Sequence, residues 1–561
     1  MNVPSTWAEI VRLRAGDDGL GLLFEDDSWT WAQIVQAGAD RMAVAAELVP
    51  APEGRPLHIG ILLDNVPDFV FWIAGAAMSG AAVVGINSSR AAAELALDIE
   101  HADVDLIVTE PRLLALVADG GHGVPPERVL DIESRRYRGL LAAHAGSPLP
   151  DATPAPEDHA FLMYSSGSTG RPKAVIAGQG RMGRLMGAIV DRIELTRESR
   201  TYLCMPLFHG NAVIMNLMPA FTIGASIGMV RKFSASRFSD DIHRFGATYL
   251  NYVGRALSYV LSQAEDPRDR TSTLRLAYGT EASEMDIARF TERFGCRVSE
   301  GYGSSEGVFR INRTNDTPPG ALGSVPGGLD VRVLDQGTGR ECPRARFDEH
   351  GRLVDEAAVG EIVGVGLAHA FEGYYKNPAA EAERIRGDDF WSGDLAYRDE
   401  EGWFYFAGRS SDWLRVDSEN FSAAQVEQIL RRAPGIAVAP VFAVPDPVTG
   451  DRVMCVLELE RGASFDAVGF GRFLGAQEDL GAKWWPSFVR VTERVPLTGS
   501  NKLDKAPLRR AAWATDDPIW VRRGRTEVYE PLDATAREAL IAQFVEHGRS
   551  THLPALLGVT P

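Results

Sequence analysis

Short apolar runs alternate with amphipathic stretches through the first 150 residues, and the alternation predicts secondary structure. His58–Leu63, Ala81–Ile86 and Val104–Thr109 read as buried strands, Asp64–Pro67 as a turn and Asp68–Met78 as a helix. Strand, helix and strand at this spacing form a βαβ unit, which predicts a largely parallel sheet covered on its faces. Thr30 opens a further helix in which Ile34, Val35, Met42 and Leu48 fall near one side. Pro148–Pro156 then punctuates the chain. The alternation resumes with strands at Ala225–Val230, Tyr249–Tyr252 and Leu274–Tyr278 and helices at Ser239–Phe245 and Ser283–Phe294.

From Gly320 to Phe406 the pattern changes to short β-like pieces (Val331–Leu334, Glu361–Val365, Trp403–Phe406) with Gly turns, which predicts a small β subdomain. Past Gly408–Asp412, a helix at Ala423–Arg432 and strands at Ala439–Val444 and Val453–Leu459 form a separate group. The expected division is residues 1–409, then 410–515, then an extension over 516–561. In the extension, Asp533–His547 has helical spacing with Leu540, Ile541 and Phe544, Thr535 and Glu538 in capping-box register, and Gly548 at the stop. A helix docked on its own protein is the ordinary fate of such a stripe. The fold class is α/β: a large N-terminal domain of covered βαβ sheets plus a small β subdomain, followed by a small α+β C-terminal domain.

Length agrees with this division, because single cores stop growing near roughly 250–300 residues and the chain has 561. A net charge of −18 argues against a nucleic-acid surface but permits a local nucleotide site built from backbone amides and a few cations. The four cysteines (Cys204, Cys296, Cys342, Cys455) have no metal-ligand spacing and suit a reducing, cytoplasmic setting. Trp7–Arg14 mixes charge with apolar residues, so no secretory h-region is expected. Phe69–Ile86 is the most apolar stretch; it is short for a bilayer span and broken by Gly75, Ser79, Gly80 and Gly85, so no integral membrane segment is expected.

Candidate chemistry concentrates in Tyr164–Val175, Tyr-Ser-Ser-Gly-Ser-Thr-Gly-Arg-Pro-Lys-Ala-Val, which follows the strand-like Ala160–Met163. Small residues let backbone N–H groups approach phosphate oxygens, hydroxyls add donors, and Lys173 adds charge. A Walker A loop needs its lysine directly after a glycine; here Arg171–Pro172 intervenes, so that reading fails. Composition alone leaves two readings open, a phosphate site and a plain flexible loop.

This loop resembles the signature of the adenylate-forming superfamily, which contains acyl-CoA synthetases, peptide-synthetase adenylation domains and firefly luciferase. Further elements follow in that family's order: Pro206–His209, Gly279-Thr280-Glu281, Glu300–Glu306, Ser392-Gly393-Asp394, Gly408-Arg409 and Pro496–Lys502. Several motifs in order, spanning roughly Thr30 to Leu508, are far more specific than one. Arg231–Ser236 and Phe371–Lys376 make the chain most similar to actinobacterial fatty-acyl and steroid-acid CoA ligases and to the fatty-acid transport type.

The resemblance implies a reaction in two halves, adenylation of a carboxylate by ATP and transfer to the coenzyme A thiol. It implies that Ser165, Ser166, Gly167, Ser168, Thr169, Gly170 and Lys173 hold the triphosphate, and that Glu306 binds Mg²⁺. Gly279, Thr280 and Glu281 would form the adenine-side turn, Tyr302 would stack on the base beside Gly303, and Ser305 would meet the α-phosphate. Asp394 would accept from the ribose hydroxyls with Arg409 nearby. The implied catalytic set is Lys502, which bridges carboxylate and α-phosphate, with Glu306 and His209.

The acyl pocket would use His209, Val213, Asn251, Tyr252, Gly254, Tyr278 and Gly301, with Arg255 and Glu281 as its buried charges. Amino-acid-activating relatives usually place an aspartate where His209 stands, so an acid without an α-amino group is expected; the plain alternative is a satisfied core histidine. The C-terminal domain is expected to be mobile, turning between the half-reactions about Ser411 and Asp412, with Ser418 and Glu419 along the pantetheine tunnel. Ser411 and Ser418 depart from the family's usual Asp or Lys and Gly. An enzyme specialised for one half-reaction therefore stands as an alternative, beside a loader of an acyl carrier protein and a non-catalytic binder. Expected partners are a small carboxylic acid, ATP and CoA, with a homodimer left open.

Overall fold

The computed structural model describes residues 4–165, 173–254, 256–282, 284–314, 316–348, 353–409, 413–416, 419–448, 451–477, 479–481, 483–498, 502–522, 524 and 526–554. Signature residues 166–172, Arg255 and the hinge positions Ser411, Asp412 and Ser418 lie outside them. Contacts divide the chain into two compact units. One holds the residues up to Arg310 with Leu367–Asp388; the other holds Ile311–Gly366, Asp389–Thr498 and Lys502 onward.

The first unit carries two sheets. One is built from β3 (His58–Leu62), β4 (Ala82–Gly85), β5 (Leu106–Thr109), β6 (Val129–Asp131), β7 (His159–Ser165) and β8 (Lys173–Gly178) in the order β6-β5-β3-β4-β7-β8. Its neighbours are parallel except for the antiparallel pair β7–β8. Every residue of β3, β4 and β5 is buried, as a sheet covered on both faces requires. The other sheet runs β13 (Arg297–Gly303), β12 (Leu276–Gly279), β11 (Tyr249–Asn251), β9 (Arg200–Leu203), β10 (Ser226–Met229), β1 (Leu20–Phe24) and β2 (Asp27–Thr30). The α/β expectation holds, and the strands read from sequence in this unit fall within a residue or two of their observed ends.

The apolar stretch at Phe69 is the buried helix Pro67–Ser79, ten of whose thirteen residues are inaccessible. It crosses the helix Trp31–Leu48 at a glycine pair. A Cβ on Gly75 would lie 2.4 Å from the Gly38 carbonyl oxygen, so only glycine permits the approach. Among the described residues no helix is long and apolar enough to cross a membrane.

The second unit holds an antiparallel sheet of Val331–Leu334, Gly360–Gly364, Asp389–Arg398 and Phe404–Arg409. A further sheet runs Ile436–Val438, Asp451–Leu459, Phe488–Thr492, Ile519–Arg522 and Tyr529–Pro531, with Val441–Pro445 also on Asp451–Leu459. Its last two strands come from the tail. The helix Ala534–Glu546 then lays Leu540 and Phe544 into a core with Phe442, Met454, Trp513 and Ile519. Its cap differs from the expected box: Asp533, not Thr535, accepts from the Ala536 N–H at 2.8 Å, because the helix starts at Ala534 and places Thr535 inside its first turn.

Candidate active site

Antiparallel pairing of β7 with β8 puts Ser165 opposite Lys173, so the signature loop joins the two legs of a hairpin. A strand–loop–helix phosphate loop is thereby excluded by topology as well as by sequence. Beside β8 runs the segment Phe371–Lys376. The Ile176 N–H donates to the Gly373 carbonyl at 3.1 Å, and the Tyr375 N–H to that of Ala174 at 2.8 Å.

This extra ribbon brings together residues far apart in sequence. Lys173 is buried; its Nζ lies 2.8 Å from Glu383 Oε2 and 5.2 Å from the centre of the Tyr374 ring. The lysine holds the exposed Glu383 carboxyl below the usual carboxylate range. Tyr374 in turn donates its hydroxyl to Glu306 Oε1 at 2.7 Å. Burial first, and then the Glu306 carboxylate, pushes the Tyr374 hydroxyl's ionisation up, so it remains a proton donor. The main chain of the Ser305–Glu306 turn is held by buried Arg181, which donates to both carbonyls and pairs with Glu372 at 3.1 Å. Glu372 also accepts from the Gly178 N–H at 2.8 Å. One carboxylate oxygen of Glu306 is thus fixed in a rigid frame.

The acyl-side residues gather at the ends of β11, β12 and β13. Buried Asn65 clamps the loop before His209: its Oδ1 accepts from the Leu207 N–H at 2.9 Å and its Nδ2 donates to the Met205 carbonyl at 3.0 Å. His209 is half-buried, its ring centre 4.5 Å from that of Phe208, and the chain after it passes into a π-helical stretch, Val213–Leu217. Such stretches recur at functional sites because they re-aim side chains. Tyr252, fully buried, donates to Glu300 Oε1 at 3.0 Å, and the Ala282 N–H donates to the same oxygen at 2.7 Å. Gly279 has no room for a side chain, since a Cβ there would sit 2.5 Å from the Tyr252 carbonyl oxygen.

Asn251 is buried and its amide meets Asn211; the Gly254 N–H donates to the Thr280 carbonyl at 2.9 Å; Val213 is buried. Gly301, Tyr302 and Gly303 lie on β13, where the Tyr302 ring stacks 6.2 Å from Phe309. Glu281 corrects one expectation. It is exposed and has φ of 74°, so the turn aims it outward and it supplies no buried charge.

In the second unit, Asp394 faces Arg409 in register across the sheet. The turn before it is fixed by buried Glu361, whose Oε1 accepts from the Gly393 N–H at 2.6 Å and whose Oε2 accepts from Gln336 at 2.7 Å. Gly393 has φ of 78°, which a side chain would resist. The Asp394 N–H donates to Ser392 Oγ at 3.1 Å. Half-buried Lys502 ends a closed loop: the Thr498 N–H donates to its carbonyl at 2.7 Å and its own N–H donates to Thr498 Oγ1 at 3.2 Å. The Pro-x-Thr-x-x-x-Lys spacing is therefore a geometric unit. Glu419 opens the strand Glu419–Ser422, paired with Trp413–Val416.

The model of AMP-binding enzymes matches residues 16–375, and that of the AMP-binding enzyme C-terminal domain matches residues 425–502. The chain belongs to the AMP-binding enzyme family. It is 45% identical over 553 residues to a steroid-22-oyl-CoA synthetase of Rhodococcus jostii, covering 98% of this chain and 99% of that protein. It is 42% identical to the medium/long-chain-fatty-acid–CoA ligase FadD17 of Mycobacterium tuberculosis, over 90% of this chain and 96% of the other. Among solved structures, the anthranilate CoA ligase AuaEII in complex with anthranoyl-AMP shares the fold at a TM-score of 0.80 and 20% identity, over 92% of this chain and 98% of that one. This AMP-binding enzyme is an AMP-forming acid–thiol ligase.

Several supporting residues of this AMP-binding enzyme were not read from its sequence as parts of a site. Tyr374 stood only within a phrase that marked kinship, and Asn65, Arg181, Glu361, Glu372 and Glu383 carried no motif. Their partners lie tens to hundreds of residues away, so no local spacing betrays them. Tyr374→Phe removes one hydrogen bond to a charged acceptor, about 1.5–3 kcal/mol. Its half-saturating Mg²⁺ concentration in acid-dependent pyrophosphate release should rise about tenfold or more; an unchanged Mg²⁺ titration would detach Tyr374 from the function of Glu306.

Proposed function

We propose that this ligase converts a hydrophobic carboxylic acid, polycyclic of the steroid-22-oyl kind or fatty, to its CoA thioester with ATP in the cytoplasm. The reading is carried by one observation, the end-to-end similarity to named CoA ligases. Residues 166–170 with Ser165 and Lys173 hold the triphosphate, and Tyr302 with the Gly279–Glu281 turn receives adenine. Ser305 meets the α-phosphate, and Asp394 with Arg409 takes the ribose. The acid lies among His209, Val213, Asn251, Tyr252, Gly254, Tyr278 and Gly301, with His209 standing where amino-acid-activating relatives usually place an aspartate. Lys502 bridges the attacking carboxylate and the α-phosphate, where charge builds in the transition state.

Mg²⁺ fits Glu306. Among the described residues no group of three or more His, Cys, Asp or Glu side chains could hold a metal, and a single carboxylate held by Tyr374 suits an ion that binds mainly through nucleotide phosphates and water. When bound it neutralises phosphate charge; Glu306, Tyr374 and Arg181 keep the carboxylate aimed. The working division remains 1–409, a mobile 410–515 and the extension 516–561, with Ser411 and Asp412 as hinge and Ser418 with Glu419 lining the thiol path. A carrier-protein thiol in place of CoA is the alternative reading, and a homodimer is left open.

Acid-dependent pyrophosphate release across steroid-side-chain, fatty and aromatic acids, with and without CoA, tests it. The expected result is release with steroid-side-chain or fatty acids, and thioester only when CoA is present. Adenylate accumulating despite CoA would instead favour specialisation for the first half-reaction, for which the serines at 411 and 418 are the specific reason.

A further inference from the structure

Two of the three arginines on the helix Gln179–Arg192 hold different neighbours. Arg181, in its first turn, holds the Glu306 turn; Arg192, in its last, donates from Nη1 to the Tyr278 hydroxyl at 3.4 Å. Tyr278 is buried on β12, one residue before Gly279. On the neighbouring strand β11, buried Tyr249 donates to the Met215 carbonyl of the π-helical stretch at 2.8 Å. Arg310 follows buried Phe309 and opens the short strand Arg310–Asn312. Burial first, and then the Arg192 guanidinium, lowers its affinity for its proton.

Two guanidinium groups near each other normally share a carboxylate. Among the described residues neither Arg192 nor Arg310 forms an ion pair, and the buried Nε of Arg310 has no hydrogen-bond partner. Like charges brought together and partly buried without a counter-group are costly, and an acceptor oxygen between them relieves that cost. A plain hydrocarbon acid offers no such oxygen, whereas a polycyclic acid oxidised at its ring end does.

We propose that Arg192, Arg310 and the Tyr278 hydroxyl form a specificity subsite for a hydrogen-bond-accepting oxygen, a ketone or hydroxyl, at the end of the acid remote from the carboxyl being activated. The proposal rests on the acyl-pocket reading above, and deepens it by separating oxygenated acids from plain ones. A site built to hydrogen-bond a substrate oxygen discriminates strongly against the analogue that lacks it, because its own polar groups are then left unsatisfied.

The test uses a steroid-side-chain carboxylic acid with a ring ketone and its matched acid lacking that oxygen. With the full chain, kcat/KM for the ketone acid should exceed that for its partner about tenfold or more. Arg192→Met and Arg310→Met should each cost the ketone acid about 10- to 100-fold, mostly in KM, while the plain acid stays within about twofold. Equal losses on both acids, or no preference in the unaltered enzyme, would overturn the subsite. Calorimetric binding of the same two acids without ATP separates this from failure of the proposed activity. Tighter binding of the ketone acid, lost in both variants, supports the subsite even without turnover, and indistinguishable binding overturns it.

Discussion

Lys502→Ala should lower acid-dependent pyrophosphate exchange about 100- to 1000-fold, the range seen when one preorganised donor to a developing charge is removed. Lys502 sits at the end of a loop closed twice onto Thr498, so its backbone position is set before substrate arrives. The side chain is the changed part; loop geometry survives, because both closing bonds use main-chain atoms of residue 502. ATP affinity, read by calorimetry, should therefore change by less than about threefold. A thiol should still be acylated from supplied acyl-adenylate, since that half-reaction does not assemble charge on an attacking carboxylate. Retention of full pyrophosphate exchange would remove Lys502 from the adenylation step.

Glu306→Ala comes second in expected size, about 100-fold or more in kcat/KM for ATP, because on the proposed reading it removes a fully charged ligand to phosphate-bound Mg²⁺ at a water-poor position. The deletion also strands the Tyr374 hydroxyl, which now spends its hydrogen bond on Glu306 Oε1. The double variant Glu306→Ala/Tyr374→Phe should be close to the single Glu306→Ala in activity, since Tyr374 is argued to act through that carboxylate. Additive losses would mean that Tyr374 has a separate role.

The sheets were readable because their strands are buried on both faces and stand out as continuous apolar runs bounded by turns, as at His58–Leu63 and Ala81–Ile86. The candidate residues were readable only where chemistry is compressed into a short motif, as in the signature loop and Pro496–Lys502. What escaped were contacts set by tertiary pairing. Tyr374 reaches Glu306 because an irregular ribbon adds itself to β8, and Arg192 reaches Tyr278 across 86 residues. Glu281 was misplaced for a different reason, a backbone angle that residue type does not announce. At the last helix an N-cap was expected in the right region, but it falls on Asp533, two residues before Thr535, and is a simple cap with Ala536 where a box needs Glu or Gln.

The tail strands Ile519–Arg522 and Tyr529–Pro531 have a bearing on swapping parts between relatives. The C-terminal family match ends at residue 502, yet the sheet it belongs to is finished by residues 519–531 and roofed by Leu540 and Phe544. A chimera cut at the family boundary would leave Phe488–Thr492 as a bare edge and open an apolar face, an invitation to aggregate. The natural exchange unit carries its tail with it.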